Sequence, residues 1–286
     1  MIYCKELDKN FDTKQQMFAA LVQNKAALKT LKKSAIKFTD GLDCLLSDNE
    51  ADNGVVTKGN EAILDNPTEI KVRVVMNTTN VMDSHSDVHI DGIWKRTLNA
   101  SNKKLHLQEH MRKFDAVISN DAKAYTKSTT FEDLGVVGLT GSTQALIFDS
   151  VVKASRNPLM FEQYKNGWVN NHSVGMQYVD FDICINSEEK WAKEEKENWD
   201  KYYPLIVNKE AADNTGYFWA VTEAKLTEGS AVLFGSNWAT PTLDNNLKTV
   251  NTLSDEDKND PPLGTQPQQS NKALLEALNN LQTKLT

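Results

Sequence analysis

Period-two alternation of apolar and polar residues is sharpest around one serine. In Asn171-His172-Ser173-Val174-Gly175-Met176-Gln177-Tyr178, the apolar Val174, Met176 and Tyr178 alternate with Ser173, Gly175 and Gln177. This pattern predicts a half-buried strand that turns Ser173, Gly175 and Gln177 away from the core. Further strands are predicted at Ile70 to Met76, Val136 to Leu139, Ala145 to Phe148, Tyr217 to Val221 and Ser230 to Phe234. Residues 14 to 38 read as a helix, with Phe18, Leu21, Val22, Leu28 and Leu31 near helical spacing. Lys25, Lys29, Lys32, Lys33 and Lys37 fill the positions between them. No Asp or Glu interrupts it, which predicts a solvated basic helix or, alternatively, a docking helix for an acidic partner. A second helix precedes the serine strand. Asn157 suits its cap, Pro158 its first position and Gly167 its end, and Leu159, Met160, Phe161 and Tyr164 form its buried stripe.

These elements place a β-rich centre between helical ends, so the fold class is α+β. Residues 1–45 form a basic N-terminal helix and extension, 46–68 an Asp/Asn/Gly-rich linker, and 69–245 the main domain. Within that domain, the charged run Glu188 to Glu197 predicts a solvated insertion at about 187–213. Residues 246–271 turn to Asp, Asn, Pro, Gln and Ser, the composition of a disordered linker. A final helix at 272–286 carries Leu274, Leu275, Leu278 and Leu281 on one stripe.

Composition narrows the function classes. Of 286 residues, 40% are apolar, enough for a real core, and the net charge of −7 argues against nucleic acid as the main partner. Cys4, Cys44 and Cys184 are widely separated, so neither a disulfide framework nor a cysteine zinc site is suggested. The first residues lack the apolar run of a signal peptide, and no run approaches the length of a membrane helix. A reducing compartment, with no membrane partner, is the expectation.

The candidate chemistry begins with Ser173. No glycine stands two residues before it, so the nucleophile elbow of the α/β-hydrolases is absent and a base must come from elsewhere. His85 and His89 lie in the polar stretch Asp83 to Gly92, which reads as a solvated loop. His106-Leu107-Gln108-Glu109-His110 matches His-x-x-Glu-His, a zinc-peptidase pattern that needs both imidazoles on one helical face, with Glu109 as base. As a strand the same residues cannot share one ion. His172 adjoins Ser173, but on a strand its side chain points to the opposite face, so it is not the expected base. Glu228 begins the segment Glu228-Gly229-Ser230-Ala231-Val232, where a carboxylate beside the serine strand could orient an imidazole.

Three blocks in this order resemble the prohead serine proteases of tailed phages, distant relatives of the herpesvirus assembly protease. The first runs from Ser86-Asp87-Val88-His89-Ile90-Asp91-Gly92 to Leu107-Gln108-Glu109-His110. It is similar to the family's turn, helix and strand ending at the catalytic histidine. The second, His172-Ser173-Val174-Gly175, is similar to the family's nucleophile strand, and the third, Lys225-Leu226-Thr227-Glu228-Gly229-Ser230, to its Leu-x-Glu-x-Ser strand. The resemblance covers about residues 70 to 242. It implies a barrel-like, herpesvirus-protease-like core ringed by helices. It also implies His110 as general base, Ser173 as nucleophile and Glu228 as orienting carboxylate, with Glu223 as the alternative, and no cofactor. The interval from Ser173 to Glu228 is long for the family, and the charged excursion from Glu188 to Trp199 accounts for it as an insertion. The implied activity is endoproteolysis of capsid-protein and scaffold pro-segments, and of the enzyme itself, inside the procapsid in the host cytoplasm. A homo-oligomer is an open expectation. A structural or scaffolding protein that keeps a protease-like fold is the non-enzymatic alternative, and a zinc peptidase using His106 and His110 the other enzymatic one.

Overall fold

A computed structural model describes residues 1–35 and 67–246. Most of the expected 46–68 linker lies outside the described residues. So do residues 247–286, with the terminal helix and Leu274, Leu275, Leu278 and Leu281. Strands β1 (Ile2–Cys4) and β2 (Lys9–Phe11) form a small hairpin, followed by α1 (Lys14–Gln23) and α2 (Lys25–Ser34). The single helix expected over 14–38 is therefore two. Asn24 divides them, because its side-chain Nδ2 and its backbone N–H both donate to the Ala20 carbonyl and its own φ/ψ leaves the helical region.

The main sheet is built from β3 (Glu69–Thr78), β4 (Asp87–His89), β5 (Lys103–Gln108), β6 (Val117–Thr130), β7 (Ser142–Lys153), β8 (His172–Ile185), β9 (Tyr217–Ala231) and β10 (Thr242–Asn246). Its helices are α3 (Lys95–Ala100), α4 (Pro158–Lys165), α5 (Lys193–Tyr202) and α6 (Lys209–Thr215). Strand order is β10-β3-β7-β6-β5-β9-β4, with β8 also paired to β9. The architecture is α+β, and the sheet is not a closed barrel. No helix among the described residues is long and apolar enough to cross a membrane.

Strand β9 organises the fold. It pairs in parallel with β4 along Trp219–Val221 and with β5 along Glu228–Ala231, and antiparallel with β8 along nearly its whole length. The two strands expected at 217–221 and 230–234 are thus one strand ending at Ala231, with Leu233 and Phe234 beyond it and exposed. Val136 to Leu139 is not a strand: Gly135 and Gly138 adopt positive φ (72° and 84°), which turns the chain while Val136 and Leu139 still bury against Phe131. Strand β6 carried no strand signal, because its buried Val117, Ile118, Ala122 and Ala124 are separated by the polar Ser119, Asn120, Asp121 and Lys123, which leave no sustained apolar alternation. Pairing with β5 on one side and β7 on the other secures it.

Three expectations about exposure change. Asn157 caps α4 as predicted, accepting from Met160 N at 3.0 Å, but Leu159 is exposed and only Met160, Phe161 and Tyr164 form its buried stripe. The charged excursion is not merely solvated. Helix α5 buries Trp199, Tyr202 and even Glu195, building a second core cluster with Phe218 and Ile206. The stretch around His89 is not a solvated loop either, since Asp87, Val88 and His89 form buried β4.

The N-terminal helices belong to the same core. Met17, Phe18, Leu21 and Leu28 join the main cluster beneath the sheet. The lysines of α2 find their acidic partners within the chain: Lys25 meets Glu194 and Glu195 at 2.8 Å, and Lys29 meets Asp182 at 2.9 Å. Lys32 reaches buried Asp87 at 2.7 Å and Glu6 at 3.2 Å. Lysines 25, 29 and 32 recur at i, i+4 and i+7, so one stripe of α2 faces acids on α5, on the Ser173 strand β8, on β4 and at Glu6 after β1. Burial alone would push the Lys32 ammonium down, but Asp87 and Glu6 together hold it above the ordinary lysine range.

Candidate active site

Register on three strands assembles the candidate site. Ser173 on β8 stands directly opposite Ser230 on β9, and Gly175 opposite Glu228. Directly opposed residues of an antiparallel pair share a face, with Cβ atoms about 5 Å apart. Ser173, Gly175, Glu228 and Ser230 therefore lie on one face. On the far side of β9, Leu107 of β5 is level with Ser230, and the chain then turns at Glu109 and His110. Both residues adopt the left-handed region, with φ of 49° and 54°. That tight turn, sealed by Glu109 N–H donating to Ala231 O and by Leu233 N–H donating to Glu109 Oε1, brings the His110 ring back over β9.

His110 Nδ1 donates to Glu228 Oε1 at 2.7 Å. A carboxylate only accepts, so the proton sits on Nδ1 and the basic lone pair of the neutral ring is on Nε2. Ser230 completes the arrangement. Its hydroxyl donates to Glu228 Oε2 at 2.7 Å and accepts from the His110 backbone N–H at 3.2 Å. One buried serine thus fixes the carboxylate and the turn that carries the imidazole. Ser173 is 8% exposed, at the edge of a cleft lined by Met76, Asn77, His85, Met176 and Asn237.

Glu223, the alternative carboxylate, instead pairs with Arg96 at 3.0 Å. His106 and His110 do not share a helical face. Residues 106–108 end a strand, 109–110 form the turn, and His106 sits inside the core against Ser150 and Tyr164. The helix that a shared zinc ion requires is absent here. Among the described residues no cluster of three or more His, Cys, Asp or Glu is arranged to hold a metal.

Two contributors escaped the sequence reading as site residues: Ser230 and Gly175. A methyl group at Gly175 would collide with Glu228 Oε1 and lie 2.9 Å from both Glu228 Cδ and Thr227 Oγ1. The carboxylate occupies the space that any other residue at 175 would fill. The register shift just beyond this pair, with Thr227 Oγ1 donating to Gly175 O at 2.6 Å, tilts Glu228 across the strand. The signal was available in the period: two residues on from Ser173 and from Glu228, the site face carries Gly175 and Ser230.

Gly175→Ala is expected to fold, because the colliding atoms belong to two side chains and not to the backbone, but to swing Glu228 off His110. Any reaction that uses His110 as a base should fall ~10²-fold or more, as expected when an orienting carboxylate is lost or misplaced, with the melting temperature within a few degrees of wild type. Unchanged turnover in this variant would show that the Glu228–His110 bond does not matter.

The opposite face carries two buried imidazoles. His172 Nδ1 donates to Thr240 O at 2.9 Å, and burial lowers its pKa from 6.5 to about 4. Burial first, and then neighbouring His172, lower His106 well below its ordinary value. Above pH 6.5 these groups are neutral in both states. As pH falls from about 6.5 toward 4, the unfolded chain takes up protons that the folded core refuses, so stability declines over that window. His172 alone accounts for about 3 kcal/mol by pH 4, and His106 acts in the same direction. Urea midpoints recorded from pH 7.5 to 4 should drop accordingly, and His172→Gln should flatten the profile. A profile equally steep in that variant would overturn the assignment to His172. No protein-family model, curated protein or solved structure matches the chain.

Proposed function

We propose that this chain is a serine endopeptidase of the tailed-phage prohead type, whose curled, helix-flanked sheet is a variant of the herpesvirus-protease core. One observation carries the reading: the 2.7 Å bond that fixes Nδ1–H of His110 on Glu228, on the sheet face that bears Ser173. A peptidase base needs this tautomer, with the accepting nitrogen directed away from the carboxylate. Nε2 of neutral His110 takes the proton of Ser173 as Oγ attacks a peptide carbonyl, and Glu228 stabilises the imidazolium that forms. The proton then passes to the departing amine, which leaves an acyl-enzyme. Water, deprotonated by the same nitrogen, releases the product and restores the hydroxyl.

The substrates on this reading are capsid-protein and scaffold pro-segments, and the enzyme's own chain, within a procapsid in the host cytoplasm. The test is direct. Full-length protein treated with a fluorophosphonate should carry the label on Ser173, and co-expressed capsid protein should be shortened. Absence of both would favour a scaffolding protein that keeps the fold without the chemistry.

A further inference from the structure

A buried chain of hydrogen bonds runs behind the candidate site, on the face away from Ser173. Ser150 Oγ lies 3.0 Å from His106 Nδ1, and His106 Nε2 lies 3.1 Å from the Tyr164 hydroxyl. That hydroxyl is 3.0 Å from His172 Nε2, and His172 Nδ1 is 2.9 Å from Thr240 O. The carbonyl of Thr240 only accepts, so Nδ1 of His172 is the protonated nitrogen and Nε2 accepts from Tyr164. The Tyr164 oxygen then accepts from His106 Nε2–H, and His106 Nδ1 accepts from Ser150. Every proton in the chain is assigned by that one carbonyl, because both imidazoles are fully buried and held neutral.

The placement of this chain is what gives it a role. His172 directly precedes Ser173, and His106 lies four residues before His110. Strands β8 and β5 are both partners of β9, and Tyr164 of α4 bridges them across it. Gly229, opposite His106 in register, lets Met76 and Phe148 pack directly on the inner face of β9; a methyl group there would lie 2.7 Å from Met76 Sδ and Phe148 Cε2. The backbone of His172 is held as well, since its N–H donates to Thr240 Oγ1 at 3.2 Å and its carbonyl accepts from that hydroxyl at 2.8 Å. All four polar atoms of the residue before Ser173 are therefore occupied.

We propose that His172, Tyr164 and His106 form a positioning relay that fixes the Ser173 strand against the strand leading to His110. The relay replaces the strained turn by which elbow hydrolases present their serine. It rests on the reading of Ser173 as nucleophile, and His172, Tyr164 and His106 act through the strands they hold, being fully buried.

Two conservative variants test it in the full-length chain: Tyr164→Phe, which removes the bridging hydroxyl, and Thr240→Val, which removes the clamp on the His172 backbone. The readout is fluorophosphonate labelling of Ser173 at 20 °C, with melting temperature measured in parallel. Each variant should lower the labelling rate at saturating reagent ~10-fold, the cost of a sub-ångström misplacement of reacting groups, while the half-saturating concentration and final stoichiometry stay at wild-type values. A lower melting temperature with an unchanged saturating rate in both variants would reduce the chain to a stability element and overturn the proposal. Wild-type protein that is not labelled at all would instead overturn the peptidase reading, and the relay with it.

Discussion

On the peptidase reading proposed above, Ser173→Ala and His110→Ala should each abolish measurable processing of co-expressed capsid protein, whereas Glu228→Gln should leave a residual rate. Nucleophile and base act as one unit, so removing either forfeits nearly everything the unit supplies, on the order of 10⁶ in kcat, and removing both costs little more. Glu228 acts through His110. The amide that replaces its carboxylate can still accept from Nδ1 but no longer opposes the charge of the imidazolium, and loss of such an orienting carboxylate costs about 10⁴. Ser230 should hold the substituted side chain close to the native rotamer, because with the amide oxygen on His110 Nδ1 the amide NH2 takes the place of Oε2 and can donate to the Ser230 hydroxyl. Glu223→Gln is the matched control. Its partner is Arg96 at 3.0 Å, away from His110, so activity within twofold of wild type is expected. The readout is cleavage of purified capsid protein followed by gel and intact mass. Wild-type processing by Ser173→Ala would end the assignment, and equal losses in the Glu223 and Glu228 variants would remove Glu228 from it.

Lys32→Ala should be the most destabilising single substitution on the N-terminal helices. The Lys32 ammonium is buried between Asp87 and Glu6 and sits 5.1 Å above the ring of Trp219. Asp87 also accepts from the Tyr178 hydroxyl at 2.7 Å, and Glu6 from Trp219 Nε1 at 3.1 Å. Removing the cation leaves two carboxylates facing each other with little solvent, which costs about 3–5 kcal/mol in buried pairs of this kind. Lys29→Ala, whose partner Asp182 is one-third exposed, should cost below about 1 kcal/mol. Guanidinium denaturation of the two variants side by side checks the contrast. Equal midpoints would mean that water or a shifted proton already screens Asp87. Tyr178 lies midway along the Ser173 strand, so Lys32→Ala is also expected to loosen that strand from its middle.

Much of the site was legible because a strand has a strict period. Alternation around Ser173 assigned Gly175 to its face and His172 to the opposite one, and the register to β9 follows that assignment. Glu228 was legible as a carboxylate on a neighbouring strand. Its preference over Glu223 was not, because that depends on the register shift beyond Gly175, which local sequence does not encode. The buried character of His89 and Glu195 was hidden for the opposite reason. Both are polar residues in polar surroundings, and only distant partners, Asn77 for His89 and Lys25 for Glu195, make their burial tolerable. Strand β6 was invisible because polar residues from Ser119 to Asp121 interrupt its buried positions, and the break at Asn24 because its cap is a side-chain bond rather than a proline or glycine.

The long strand β9 also governs timing. The strands that carry Ser173 and lead to His110 do not pair with each other among the described residues; the strand they share as a ladder partner is β9, near the C-terminal end of the described sheet. During synthesis His110 and Ser173 emerge long before residues 217–231, and until those residues pair, no strand ladder sets one against the other and only the Tyr164 bridge spans them. On the reading proposed above, the nascent chain is chemically silent until its last long strand is made. A ribosome-stalled chain ending before Tyr217 should therefore carry no reactive serine, and one extended past Thr249 with its sheet completed should.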